Sequence, residues 1–90
     1  MGTTTLTAQE IRLYADLSIG DIVYTADQKD HTVSEYKITK RTGVREASGY
    51  PLITYEAKNE DGSKVSFLLE EDLNDKIFLD YWTAALRADI

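Results

Sequence analysis

Apolar positions in this chain recur first at helical spacing, then at every second residue, then at helical spacing again. Ile11, Tyr14, Ala15 and Leu17 share one face of a short helix. Thr7 stands three residues before Glu10, the spacing of a capping box. There the threonine hydroxyl accepts from the Glu10 amide, and the glutamate carboxylate accepts from the Thr7 amide. A helix is therefore predicted over residues 7–17. Helices of about ten residues are marginal alone, so the apolar face needs a sheet or another molecule to cover it. Gly2, Thr3, Thr4 and Thr5 show no periodicity and are expected to fray.

Gly20 ends the helical pattern and the period falls to two. Residues 21–25 predict a strand with Ile22 and Tyr24 on one face and Val23 on the other. Residues 26–32 hold Asp27, Lys29, Asp30 and the only histidine, His31, and read as a long polar loop. The next strand, residues 33–42, sets Tyr36 and Ile38 against a wet face of Glu35, Lys37 and Thr39. Residues 43–50, with Gly43, Ser48 and Gly49, predict a flexible connection that Pro51 ends. In residues 52–58, Ile53, Tyr55 and Ala57 point inward while Thr54, Glu56 and Lys58 point out. Asn59, Glu60, Asp61 and Gly62 form the clearest turn, with Gly62 suited to a positive φ. The returning strand, residues 64–69, puts Val65, Phe67 and Leu69 on one face. Glu70, Glu71 and Asp72 then predict a single 3₁₀ turn that drops Leu73 into the end of the core, before a short last strand at residues 76–79. Asp80 caps a final helix that runs through Ala88, its apolar stripe formed by Trp82, Ala85 and Leu86.

Ninety residues support one hydrophobic core. The expected organisation is a single domain, residues 1–90, with helix at 7–17, a β-barrel at 19–79 and helix at 80–89. Apolar runs are no longer than three residues, far below the roughly 20 that span a bilayer, and no leader-like pattern follows Met1. The expectation is a cytoplasmic protein with no membrane partner. The chain has no cysteine, so neither disulfides nor thiolate chemistry contribute.

A formal net charge of −6 opposes non-specific binding to nucleic acid or anionic lipid, which depends on Lys and Arg neutralising phosphate. The charge is unevenly placed. Lys37, Lys40, Arg41 and Arg45 lie close together, whereas Glu56, Glu60, Asp61, Glu70, Glu71, Asp72, Asp75, Asp80 and Asp89 load the second half with acid.

One motif opens the strand region, Ile19-Gly20-Asp21-Ile22-Val23-Tyr24, and another closes it, Phe67-Leu68-Leu69-Glu70-Glu71-Asp72-Leu73. With Phe78-Leu79-Asp80 leading into a helix that carries Ala84, this order resembles small SH3-like barrel proteins of bacteriophages, prophages and bacterial mobile elements. The resemblance spans residues 19–86 and implies a mainly β fold, a small five-stranded SH3-like barrel with a short helix before and after it. It implies no assigned chemistry. The loop at residues 26–32 lacks the acidic, tyrosine-rich groove of eukaryotic SH3 domains, so proline-peptide binding does not follow.

No catalytic constellation is legible. His31 is the one imidazole, and no nucleophile elbow surrounds Ser18, Ser34, Ser48, Ser63 or Ser66. A histidine between Asp30 and Thr32 is expected to be solvated. Asp27, Asp30 and His31 follow no EF-hand or zinc spacing, Glu70, Glu71 and Asp72 read as a charged turn, and no cofactor or metal is expected. Two binding classes remain. A nucleic-acid surface would use Lys37, Lys40, Arg41 and Arg45 with Tyr36 or Tyr50, but alternation turns Tyr36 away from Lys37 and Arg41. The favoured reading is a non-catalytic protein-interaction module, an accessory protein of phage or mobile-element type, that binds a protein partner or a second copy. Tyr14, Tyr81 and Trp82 are its anchors, because adjacent Tyr81 and Trp82 cannot both face the barrel.

Overall fold

Fourteen residues of continuous strand, Thr32–Arg45, form the spine of the molecule. The computed structural model describes residues 4–90. In chain order the elements are β1 (Thr4–Thr5), α1 (Ala8–Tyr14), β2 (Ile22–Asp27), β3 (Thr32–Arg45), β4 (Pro51–Lys58), β5 (Lys64–Leu68), α2 (Leu69–Asp72) and α3 (Tyr81–Arg87). One edge of β3 pairs with β4, which in turn pairs with β5. The other edge is shared: β2 takes the first half and β1 pairs with Val44 and Arg45 at the end. All pairs are antiparallel. At about 3.3 Å per residue a strand this long spans roughly 46 Å, which accounts for the 44 Å long axis.

The protein is mainly β, a five-stranded antiparallel sheet with short helices. The sheet is not closed. Tyr24 and Phe78 exchange backbone hydrogen bonds of 2.8 and 2.9 Å, which brings the late chain to the free edge of β2. Among the described residues no ladder joins β5 to this segment, and α2 follows β5 in the chain. Only isolated bridges, Tyr24 to Phe78 and Leu73 to Ile77, stand where a strand was expected at residues 76–79.

A bulge at Thr39 sets the rest of β3. Ile38 pairs with Ala57 and Lys40 with Glu56, leaving Thr39 without a partner. The extra residue switches alternation. Tyr36 and Ile38 face the core before it; Arg41, Gly43 and Arg45 do so after it. Arg41 was expected to point to solvent, but it donates to the Leu17 carbonyl at 2.9 Å.

Gly43 lies inside β3, not in a flexible loop. A Cβ there would stand 2.7 Å from Leu6 Cδ1 and 2.9 Å from Ile53 Cδ1, so glycine is what allows Leu6 to lie across the strand. Leu6 also donates its amide to the Gly43 carbonyl at 2.9 Å. Thr4 and Thr5 are correspondingly paired rather than frayed, while Gly2 and Thr3 lie outside the described residues. The connection left between β3 and β4 is a tight turn. Glu46 donates to the Tyr50 carbonyl, Gly49 donates to the Glu46 carbonyl, and Gly49 takes a φ of +90°.

Leu6, Val23, Ile38, Ile53, Tyr55, Ala57, Phe67, Leu69 and Ile77 form the core, with Ile11, Ala15, Leu17, Tyr36 and Val65 packed around it. The inward alternation expected for Ile53, Tyr55 and Ala57, and for Val65, Phe67 and Leu69, is present. Leu73 does not enter the core. Residues 69–72 form one α-helical turn that buries Leu69; Asn74 then reverses the chain at φ +63°, so Ile77 fills the end instead.

The capping box of Thr7 and Glu10 forms as expected. α1 nevertheless ends at Tyr14 rather than at residue 17, because the Asp16 amide that would continue it donates to the buried Tyr55 hydroxyl at 3.0 Å.

Candidate protein-interaction surface

α3 starts where Asp80 accepts a hydrogen bond from the Thr83 amide at 3.1 Å. It ends in paired reverse bonds: the Asp89 amide donates to the Leu86 carbonyl at 3.1 Å and the Ile90 amide to the Ala85 carbonyl at 3.0 Å. Asp89, at φ +62°, supplies the left-handed residue this Schellman termination requires. Both ends of the seven-residue helix are thereby capped from within its own segment.

The helix carries two apolar arcs, and they differ in size. Tyr81, Ala84, Ala85 and Ala88 recur at the i, i+3, i+4, i+7 spacing of a packed face. Ala84, Ala85 and Ala88 are buried, and the helix lies against β2 and β3. Methyl groups let its backbone come close to the sheet. Tyr81 meets Tyr24 edge to face at a centroid distance of 5.9 Å. The expected stripe of Trp82, Ala85 and Leu86 is thus corrected: Ala85 faces inward, but Trp82 is 73% exposed and Leu86 79%. One helical turn apart, the two point to solvent. Leu79 and Ile90 are also exposed, and the Trp82 ring stands edge-on to Tyr81 at 5.2 Å.

Tyr14 is not part of this surface. It packs at the Arg45 end of β3, with Arg45 Cζ 5.4 Å from its ring centroid. Tyr24, the neighbour of Tyr81, pairs with Glu35. Ten residues of strand separate Glu35 from Arg45, about 33 Å. The three aromatic candidates therefore divide into Tyr81 with Trp82 at one end and Tyr14 at the other.

His31 is bound into the same end as α3. Its Nδ1 lies 3.0 Å from the Ala88 carbonyl oxygen, a contact that requires a proton on Nδ1, and its backbone adopts φ +56°. His31 is exposed, as expected from its neighbours, and through this contact it also ties the β2–β3 loop to the end of the helix. Asp27 Oδ1 accepts from the Lys29 and Asp30 amides. Among the described residues no group of three His, Asp or Glu side chains is placed to hold a metal ion, and no helix is long and apolar enough to cross a membrane.

The four basic residues of the nucleic-acid reading are split by the Thr39 bulge. Lys37 and Lys40 are exposed on the outer face, whereas Arg41 and Arg45 turn to the other. Arg45 donates to Glu10 at 3.0 Å and to the Gly49 carbonyl at 2.8 Å. The Glu10 carboxyl is held below its ordinary value, first by its hydrogen bond from the Thr7 amide and then by Arg45. Arg45 is raised, by Tyr14 foremost and Glu10 next; a guanidinium is charged throughout the accessible range, so the titrating consequence belongs to Glu10. A different basic group occupies the outer face. Lys37, Lys58 and Lys64 are aligned in register across β3, β4 and β5. Only pairing reveals that row, because Lys58 and Lys64 are remote from Lys37 in sequence. Glu35 and Glu56 lie two residues from Lys37 and Lys58 on the same face, so the surface alternates in sign.

Comparison of the chain with protein-family models, curated proteins and solved structures finds no match.

Proposed function

We propose that this chain is a non-catalytic protein-interaction module whose contact surface is the outward face of α3. The observation that carries the reading is the exposure of Trp82 and Leu86 on a helix whose inward face is built of alanines. Large apolar side chains turned outward cost solvation when uncovered, and tryptophan is among the residues most enriched at binding hot spots. Within this reading the sheet is an SH3-like barrel. The Tyr24–Phe78 backbone exchange and the single helical turn before it support that assignment. An accessory role of phage or mobile-element type rests on the motif resemblance at residues 19–86.

A photo-crosslinking residue in place of Leu86 tests the proposal in nuclease-treated host lysate. A discrete protein adduct, competed away by unlabelled protein but not by Trp82→Gln protein, is expected. Recovery that depends on nucleic acid, or adducts unaffected by the competitor's Trp82, would overturn it.

A further inference from the structure

We infer that the partner segment docking on α3 is cationic, an amphipathic helix whose apolar row covers Trp82 and Leu86 and whose lysines or arginines meet the acidic rim. The inference rests on the interaction reading above and specifies the partner's chemistry. Residues 69–90 carry Glu70, Glu71, Asp72, Asp75, Asp80 and Asp89 against Lys76 and Arg87 alone. Arg87 is already held by Asp75 at 2.6 Å. The end of β2 and the β2–β3 loop, fastened to α3 through His31 and Ala88, add Asp27 and Asp30 against Lys29. Much of the chain's net charge of −6 thus lies in the segment that carries Trp82 and Leu86, two of the three most exposed large apolar side chains among the described residues, and in the loop fastened to its helix. Such a rim steers cationic partners and repels anionic ones.

The same charges decide against the other occupants. Two copies pairing through antiparallel α3 helices would set Asp80 of each beside Asp89 of the other, with Arg87 already engaged. An anionic lipid surface would meet like charge. A cationic helix gains on both counts, since Trp82 and Leu86, four residues apart, match the one-turn spacing of an apolar helical row.

Trp82 is the only tryptophan, so its emission reports the site directly. The intact protein is titrated with a synthetic leucine–lysine amphipathic helix and, separately, with the same peptide carrying glutamate for lysine. The lysine peptide is expected to shift Trp82 emission to the blue and to bind about tenfold or more tightly than the glutamate peptide at low salt. That preference should collapse near 1 M salt, where the Debye length is about 3 Å. Asp30→Asn with Asp89→Asn should reduce it, and Leu86→Gln should abolish the shift. Equal or stronger binding of the glutamate peptide through Trp82 and Leu86 would overturn the cationic inference while leaving α3 as the interaction face. Concentration-dependent self-association lost in Leu86→Gln would overturn it in favour of a second copy. Silence of Trp82 toward both peptides, together with no crosslink from position 86, would remove the interaction reading itself.

Discussion

Alanine at Gly43 should be harmful only while Leu6 is in place. The added Cβ would meet Leu6 Cδ1 at 2.7 Å, Ile53 Cδ1 at 2.9 Å and the Leu52 carbonyl oxygen at 3.3 Å. The two close atoms end flexible side chains, so relaxation is partial and overpacking costs about 1–2 kcal/mol. Because Gly43 has no positive φ, alanine also restricts the unfolded chain and returns about 0.4–1 kcal/mol. Gly43→Ala should therefore destabilise by about 1 kcal/mol. Leu6→Ala removes a buried side chain next to a two-residue strand that can shift, and should cost about 2–3 kcal/mol, near the low end for such truncations. In the double variant the Gly43→Ala methyl fills part of the space Leu6 leaves, and the Ile53 δ-methyl can move into the rest. Its loss should be near that of Leu6→Ala alone, a favourable coupling of about 1 kcal/mol. Urea denaturation of the four proteins measures this, with equal m-values confirming a common unfolding reaction. Additivity within about 0.5 kcal/mol would refute the packing of Leu6 across Gly43.

Tyr55→Phe leaves the Asp16 amide without its acceptor and should cost about 1–2 kcal/mol in urea melts. Asp80→Ala removes the α3 cap and should cost about 1 kcal/mol, or a fall in Tm of about 4–8 °C in calorimetry. Leu86→Gln should stay within about 0.5 kcal/mol of the parent, because its side chain is already in water. Glu10→Gln retains a capping acceptor for Thr7 but loses the charge facing Arg45. The Glu10 folded value is lowered from 4.5, so its contribution is present above that unfolded value and is lost as pH falls through the lowered one. Parent and variant Tm values should therefore differ at neutral pH and converge in strong acid. A gap that persists or widens in acid would contradict the assignment.

Features legible in the sequence were those fixed by a few neighbouring residues. Thr7 and Glu10 form their capping box, Asp80 caps its helix, Gly62 takes φ +86°, and Ile53, Tyr55 and Ala57 alternate inward. Each depends on local hydrogen bonding or strand period. What escaped depended on contacts remote in sequence. Gly43 has the look of a loop residue, yet its absent side chain makes room for Leu6, thirty-seven positions earlier. Nothing near Thr39 announces a bulge, although it decides which face Arg41 and Arg45 occupy. Leu73 was a plausible core residue until the turn at Asn74 gave that place to Ile77. In α3 both arcs satisfy helical spacing, and hydrophobicity favours the wrong one. The nearness of the sheet selects alanines over Trp82 and Leu86, and that distance is not written in the helix.

The orientation of α3 carries the functional account, and quenching of Trp82 fluorescence by acrylamide in dilute protein tests it most directly. An outward indole should emit as in water and be quenched nearly as readily as tryptophan in a short peptide. A blue-shifted, protected Trp82 would contradict the account, because it would place the bulky arc against the sheet and leave the alanines outside.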